Sequence, residues 1–356
     1  MGGMQRHTRL LAEHMARLDG VRVTVLHPHE ERVFDPSTGV HEVSVPGIDP
    51  ARFYLREMWR YSGRMARAVA TLKPDAVLAQ GFCVWQGMDA MADRLLFHPH
   101  GLEMFQGLTL RDRLIGLPFR WVVGAVARRA ACTVSLGGKL TPILARLGAK
   151  RVVVLPNAVE VPAEPAAYAG HDGPLRLLFV GRFAFNKGID LLMDVARRLA
   201  DEGAPVRFDL AGDGPLLAHY QAAGLPANVS LLGRVNDAEL FALYTACDAL
   251  VLPTRFEGMP TVVLEAMARA RPIIVSDVGA CAGLVENGVH GALLPPGDTE
   301  ALHRAVERFI ALDLEKRRAM GLAAYQRAHD MFDWPGVARA HVEVLRELAR
   351  SAGQRV

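Results

Sequence analysis

The sequence predicts an α/β protein made of two similar-sized, Rossmann-like halves. Short apolar runs of strand length alternate with segments of helical period, which is the rhythm of parallel sheets. In the clearest case the run Leu175-Arg176-Leu177-Leu178-Phe179-Val180 leads straight into Gly181. Between the two series, residues 159–174 are rich in Pro, Ala and Gly and show no period, so they read as a linker. Open parallel sheets bind ligands beyond the carboxyl ends of their strands, so two such halves are expected to face each other across one ligand cleft.

Composition sets the outer bounds. With 356 residues, 51% of them apolar, the chain has enough material for two ordinary cores. No apolar run approaches the roughly 20 residues of a membrane span, because the run at Trp121 to Val126 is cut by Arg128 and Arg129. The N-terminus shows no secretory pattern, and Arg6 stands where a myristoylation motif needs Ser or Thr, so a cytoplasmic location is expected. Cys83, Cys132, Cys247 and Cys281 are widely spaced with no CxxC, which favours reduced core residues over a disulfide framework or a zinc site. The first 165 residues carry 21 basic and 15 acidic side chains against 20 and 23 in the remainder. That asymmetry hints at an anionic partner, without any motif for nucleic acid.

Taken in order, residues 5–18 read as an amphipathic helix with Leu10, Leu11, Met15 and Leu18 on one face. Strands follow at 21–26, 76–79, 95–97, 132–135 and 152–155. The second series has strands at 175–180, 206–211, 229–232, 248–252, 272–275 and 292–294, then amphipathic helices and a break at Trp334-Pro335 before a last one. One element is out of place. Such a half normally opens with a buried central strand, a glycine turn and a helix, whereas here Gly2, Gly3 and the helix come at once. The first strand of the N-terminal domain is therefore expected upstream; otherwise another segment supplies it, or the domain is damaged and donor binding outlasts catalysis.

Chemistry concentrates in the second half. In EGMPTVVLEAMA, residues 257–268, a strand ended by Pro253 leads to a glycine loop and a helix with Pro260 expected at its first position. A helix start of that kind attracts phosphate, and it sets Glu257 in the loop and Glu265 on the helix, a separation suited to the two ends of a nucleotide diphosphate sugar. GRFAFNKG places Arg182 and Lys187 in the loop after the strand at 175–180, two cations suited to a diphosphate leaving group. LAGDGP at 210–215 lacks the third glycine of a dinucleotide fingerprint and reads as a tight strand-to-helix turn. His98 and His100 in FHPHGLE, like His27 and His29, stand two apart at a strand end, with no acidic or cysteine cluster at metal-ligand spacing beside them. His100, next to a glycine, is the better functional candidate.

GRFAFNKG, AGDGP, LLGRV, LFALYTACDALVLPT and EGMPTVVLEAMA, in that order, resemble the donor-binding half of the retaining glycosyltransferases of family 4, which have the GT-B fold. The first half is similar more loosely, through GGMQRH, HPHG and VVVLPNAVEV. The resemblance implies an N-terminal acceptor domain over 1–158, completed by a C-terminal helix near 336–350, and a donor domain over 175–333. It further implies that Arg182 and Lys187 bind the donor diphosphate after Gly181, and that Glu265 hydrogen-bonds the ribose. Glu257 with the amides of Gly258, Met259 and Thr261 would hold the sugar ring. Gly2 or Gly3 would approach the phosphates, His100 would lie near the transferred sugar, and the backbone of Arg234 and Val235 would line the base. Family members need no metal or other cofactor beyond the nucleotide-sugar co-substrate.

This chain departs from the family pattern in three places. Ala270-Arg271-Pro272 replaces Gly-x-Pro, Pro260 replaces a glycine, and Asn157-Ala158 stands where Asn-Gly is common. The expected activity is transfer of a hexose from a nucleotide diphosphate sugar to an acceptor hydroxyl, in glycan or glycolipid synthesis. The alternatives are another GT-B activity, such as a nucleotide-sugar epimerase or a phosphorylase, and a nucleotide-sugar-binding protein without turnover. Arg52, Arg56, Arg60 and Arg64 recur every fourth residue beside Phe53, Tyr54 and Trp59, which reads either as a solvated helix face or as a peripheral contact with anionic membrane.

Overall fold

A computed structural model describes residues 3–49 and 51–353. The chain divides into two compact units, one formed by 1–157 with 334–356 and the other by 158–333.

In chain order the N-terminal unit contains α1 (Gly3–Ala16), β1 (Thr24–His27), β2 (His41–Ser44), α2 (Tyr54–Leu72), β3 (Val77–Gln80), β4 (Leu95–His98), α3 (Leu110–Arg129), β5 (Cys132–Ser135), α4 (Thr141–Arg146) and β6 (Val152–Val154). β3, β4, β5 and β6 form a parallel sheet in that order, and β1 pairs with β2 in a separate parallel pair. β4 and β5 are buried along their whole length, as expected for strands covered on both faces. Among the described residues no strand precedes α1, and β3 pairs with β4 alone. β2 escaped the sequence reading because its four residues, His41-Glu42-Val43-Ser44, are mostly polar and sit at an edge, so they carry no buried apolar run. α1 also ends at Ala16, two residues short of the expected boundary.

The C-terminal unit follows with β7 (Leu175–Val180), α5 (Ile189–Asp201), β8 (Val206–Ala211), α6 (Leu217–Ala223), β9 (Val229–Gly233), α7 (Asp237–Ala246), β10 (Ala249–Leu252), α8 (Thr261–Met267), β11 (Ile273–Ser276), α9 (Cys281–Leu284), β12 (Gly291–Leu294), α10 (Thr299–Ile310) and α11 (Leu314–Met331). Its six strands are all parallel, in the order β12-β11-β10-β7-β8-β9. The chain lays β7, β8 and β9 outward in one direction and then returns to place β10 on the other side of β7. The sheet therefore reverses between β7 and β10, and the carboxyl ends of strands at such a reversal are the usual ligand position in a doubly wound sheet. Side-chain caps fix the helices around it. Asn236 and Glu239 form a reciprocal box at the start of α7, while Asp298 and Asp313 cap α10 and α11.

The last helix, α12 (Trp334–Gly353), belongs to the N-terminal unit because of what it buries. Val344 and Leu348 join Leu96, Cys132, Val134 and Leu155 in one apolar cluster against β4 and β5. At about 1.5–3 kcal/mol for each large apolar side chain fully buried, these two residues anchor the helix firmly. No helix among the described residues is long and apolar enough to cross a membrane.

Candidate active site

The site is assembled where the sheet of the C-terminal unit reverses. Beyond β7 the chain runs through Gly181 and the exposed Arg182 into a short 3-10 turn, Phe185–Lys187, and then α5. Gly188 joins turn to helix at φ +70, and a Cβ there would lie 1.9 Å from the carbonyl oxygen of Pro253. Only glycine permits this approach of the β7 loop to the β10 loop.

Contacts from the β10 loop then hold the turn in place. Thr254 Oγ1 donates to the Asn186 carbonyl (2.9 Å), as does the Arg255 backbone N–H (2.8 Å). The Arg255 guanidinium binds Asp190 through two parallel hydrogen bonds of 2.7 and 2.6 Å and lies 3.8 Å over the Phe185 ring. Bidentate pairing and stacking together fix a planar side chain in a way that a lysine cannot match. The result is that Lys187 Nζ donates to Glu257, both side chains being largely buried. On its other side the Glu257–Gly258 segment is pressed against Gly279, where a Cβ would fall 2.2 Å from the Glu257 carbonyl oxygen, and Ala280 N–H donates to Gly258 O.

Glu265 projects from α8 and accepts a 2.8 Å hydrogen bond from Tyr244 Oη on α7. Burial, and then the neighbouring Glu265 carboxylate, push the Tyr244 phenol well above its ordinary value, so Tyr244 remains a donor and holds Glu265 in one orientation. Pro260 occupies the N-cap of α8, not its first helical position, and gives the helix no side-chain cap. The difference is one residue: Pro260 is extended at ψ 116, as a cap must be. Gly258, Met259 and Thr261 complete this loop, with Met259 buried. Arg234 and Val235 follow β9 at the same edge of the sheet, Arg234 exposed and Val235 half-buried. The 210–215 turn also faces this edge, with the Asp213 carbonyl accepting from Phe183 N–H.

His100 belongs to the N-terminal unit, just past the carboxyl end of β4, with φ +60. Its backbone N–H donates to His98 Nδ1 (3.1 Å), and the two rings stack at 4.1 Å between centroids. His7 on α1 lies 6.0 Å from His100, and His341 on α12 lies 6.4 Å from His98. Burial dominates all four titrations. It lowers His7 to about 3, His100 and His341 to about 4, and His98 well below the usual imidazole range. His100 is therefore neutral at physiological pH, and its Nε2 has no protein partner among the described residues. Gly3 opens α1, while Gly2 lies outside the described residues.

Arg52, in the turn before α2, pairs with Asp49 at 3.0 Å; on α2 itself Arg60 pairs with Glu57 at 2.9 Å, and Arg64 donates to the carbonyls of Pro46 and Gly47. Of the expected basic stripe only Arg56 is exposed without a recorded partner among the described residues. Tyr244 and Arg255 carry no signal in the sequence, since each acts through a partner more than twenty residues away and paired polar groups of this kind become visible only in the fold.

Comparison with known families adds identity to this geometry. Residues 1–161 match the model of Glycosyltransferase Family 4, and residues 174–311 match that of Glycosyl transferases group 1. Glycogen synthase of Mycobacterium tuberculosis is 29% identical over 255 residues, 66% of this chain and 61% of that protein. Alpha-D-kanosaminyltransferase of Streptomyces kanamyceticus is 33% identical over 157 residues, 43% of this chain and 40% of that one. The chain thus spans about three fifths or less of the length of these relatives. Among solved structures, sucrose-phosphate synthase from Thermosynechococcus elongatus superposes with a TM-score of 0.80 at 21% identity, covering 98% of this chain and 94% of that one. The Anabaena protein HepE, in complex with UDP and glucose, superposes at 0.72 with 18% identity over 97% and 96%. At such identities the superpositions establish the fold, which is GT-B.

Proposed function

Because the chain belongs to the family 4 glycosyltransferases, we propose that it is a retaining hexosyltransferase carrying a sugar from a nucleotide diphosphate donor to an acceptor hydroxyl. The observation that carries this reading is the Lys187–Glu257 pair at the reversal point of the sheet, with Arg182 exposed earlier in the loop that carries Lys187. An ammonium and a carboxylate held side by side suit the two halves of one ligand. Lys187 and Arg182 meet the diphosphate, while Glu257 and the amides that follow it accept and donate hydrogen bonds to the sugar. Glu265, oriented by Tyr244, binds the ribose, and the backbone at Arg234 and Val235 lines the base.

Departure of the nucleoside diphosphate builds negative charge on the phosphates, so cations aimed there stabilise the transition state more than the ground state. The acceptor approaches on the face that the leaving group vacates and gives its proton to a β-phosphate oxygen, so no side chain need act as general base. Arg182 and Lys187 supply the positive charge, and the reaction as proposed uses no metal. The acceptor is a glycan or a lipid-linked saccharide, met by peripheral contact at the inner face of a membrane.

Thermal unfolding with a panel of nucleotide sugars identifies the donor. UDP-glucose comes first because structural neighbours have been solved with UDP and with UDP-glucose. A donor at about 100 times its Kd adds roughly 2.7 kcal/mol to the stability of the unit that holds it. With donor and acceptor in hand, proton NMR of the glycoside reads the anomeric configuration. Retained configuration is expected. An inverted product overturns the retaining mechanism, and a panel with no stabilising nucleotide sugar overturns the donor site.

A further inference from the structure

The first half of α3 leaves a row of large apolar side chains in solvent. Leu110, Leu114, Leu117 and Trp121 are 77%, 66%, 52% and 61% exposed, and their spacing of four, three and four residues puts them on one helical stripe. Ile115, 58% exposed, stands beside it. An unpartnered row of this length on a soluble surface signals an interaction.

The charge on the same helix narrows the partner. α3 carries Arg111, Arg113, Arg120, Arg128 and Arg129 against a single acid, Asp112, which is engaged with Thr109 in the capping box. Arg113, Arg120 and Arg128 donate to the carbonyls of Gly107, Met104 and Leu147, contacts that leave their charge uncompensated. Arg129 lies 3.6 Å from Asp89, and Arg111 acts on the neighbouring Asp112, so two acids face five arginines on this part of the surface. A second copy of this chain would bring an equally cationic face, so like charges oppose self-association through it.

Aromatic rings extend the face toward α2. Trp121 meets Trp85 at 5.8 Å, Trp85 meets Trp59 at 4.8 Å, and Tyr54 on α2 meets Phe119 at 6.1 Å. Trp59, Trp85 and Trp121 line a cavity of about 410 Å³ together with Asp89, Arg128 and Arg129, at the end of the apolar stripe. Tryptophan beside arginine suits the boundary between acyl chains and phosphate.

We propose that α3 docks this protein on an anionic lipid bilayer, with the Leu110, Leu114, Leu117 and Trp121 stripe among the acyl chains and the arginines on lipid phosphates. The helix lies along the surface and does not cross it. The proposal deepens, and rests on, the peripheral-membrane part of the reading above, moving its basis from the arginines of α2 to the apolar stripe of α3.

Sedimentation of the full chain at low salt tests it, using vesicles of phosphatidylcholine alone and of phosphatidylcholine with phosphatidylglycerol. Binding to the anionic vesicles is expected to be about tenfold tighter or more. Leu114→Gln and Trp121→Gln should each weaken it by about tenfold, while Leu322→Gln, which changes an exposed leucine on α11, leaves it unchanged. Circular dichroism melts confirm that the variants are folded. No binding, equal binding to both vesicles, or stripe variants that bind like the parent overturn the proposal. So does a dimer that Leu114→Gln dissolves in the absence of vesicle binding. Nucleotide-sugar stabilisation measured on the same preparations separates the two readings, because its loss strikes the donor site alone and loss of vesicle binding strikes α3 alone.

Discussion

At the scale of single residues, the candidate site depends on side chains that are positioned by others. Lys187, Glu257 and Glu265 were singled out in the sequence because the first two lie in loops that follow a strand and the third lies on the helix after the second loop. Tyr244 and Arg255 were not, since a buried phenol and a stacked guanidinium acquire meaning only from partners brought in by the fold. Tyr244→Phe should therefore raise the donor KM several-fold while leaving kcat within about twofold, because it loosens the ribose contact and not the phosphate contact; stability should fall by about 1 kcal/mol for the lost hydrogen bond. Donor-saturation kinetics beside a thermal melt check this, and an unchanged KM would remove Glu265 from the ribose. Arg182→Ala is expected to do the opposite, lowering kcat roughly tenfold or more with little change in stability, as befits an exposed cation aimed at developing charge. Steady-state rates with the best donor decide it.

At the scale of elements, the strand series of both units was readable because buried parallel strands are nearly continuous apolar runs, as Leu177, Leu178 and Phe179 show in β7. Edge and junction features were not. β2 is short and polar, and the exact helical position of Pro260 depends on cap geometry that propensity does not fix. One departure in the sequence does acquire a physical meaning. Ala270, which stands where the family resemblance implies glycine, adopts φ +56, a left-handed conformation that its Cβ disfavours. Ala270→Gly should stabilise the protein by about 1 kcal/mol, relief of strain outweighing the greater freedom of glycine in the unfolded chain. Gly188→Ala should do the reverse and cost several kcal/mol, because a Cβ 1.9 Å from Pro253 O forces the β7 and β10 loops apart. Melting temperatures of the two variants against the parent test both signs at once.

At the scale of the whole molecule, the two units should respond differently to acid. His7, His98, His100 and His341 all lie in the N-terminal unit, and burial holds each well below an ordinary imidazole. The unfolded chain binds these protons near pH 6.5, whereas the folded unit binds those of His7, His100 and His341 only near 3 to 4 and that of His98 well below the usual imidazole range, so their contribution to stability is complete above about pH 6.5 and is lost as pH falls from there toward 4. All four tryptophans, Trp59, Trp85, Trp121 and Trp334, also belong to this unit, so tryptophan fluorescence, excited beyond the tyrosine absorption, follows it alone. The fluorescence melt should fall by about 10 °C or more between pH 7 and pH 5, and a flat profile would mean that the histidines are not buried as described. The central claim, that the reversal point of the second sheet holds a nucleotide diphosphate sugar by its phosphates, is tested most directly by calorimetric titration of the parent and Lys187→Ala with the best nucleotide sugar and with the matching nucleoside. The account predicts that Lys187→Ala weakens the nucleotide sugar by about tenfold and leaves the nucleoside unchanged, since the ammonium meets only phosphate. A variant that binds the nucleotide sugar as tightly as the parent, or that loses both ligands equally, would contradict it.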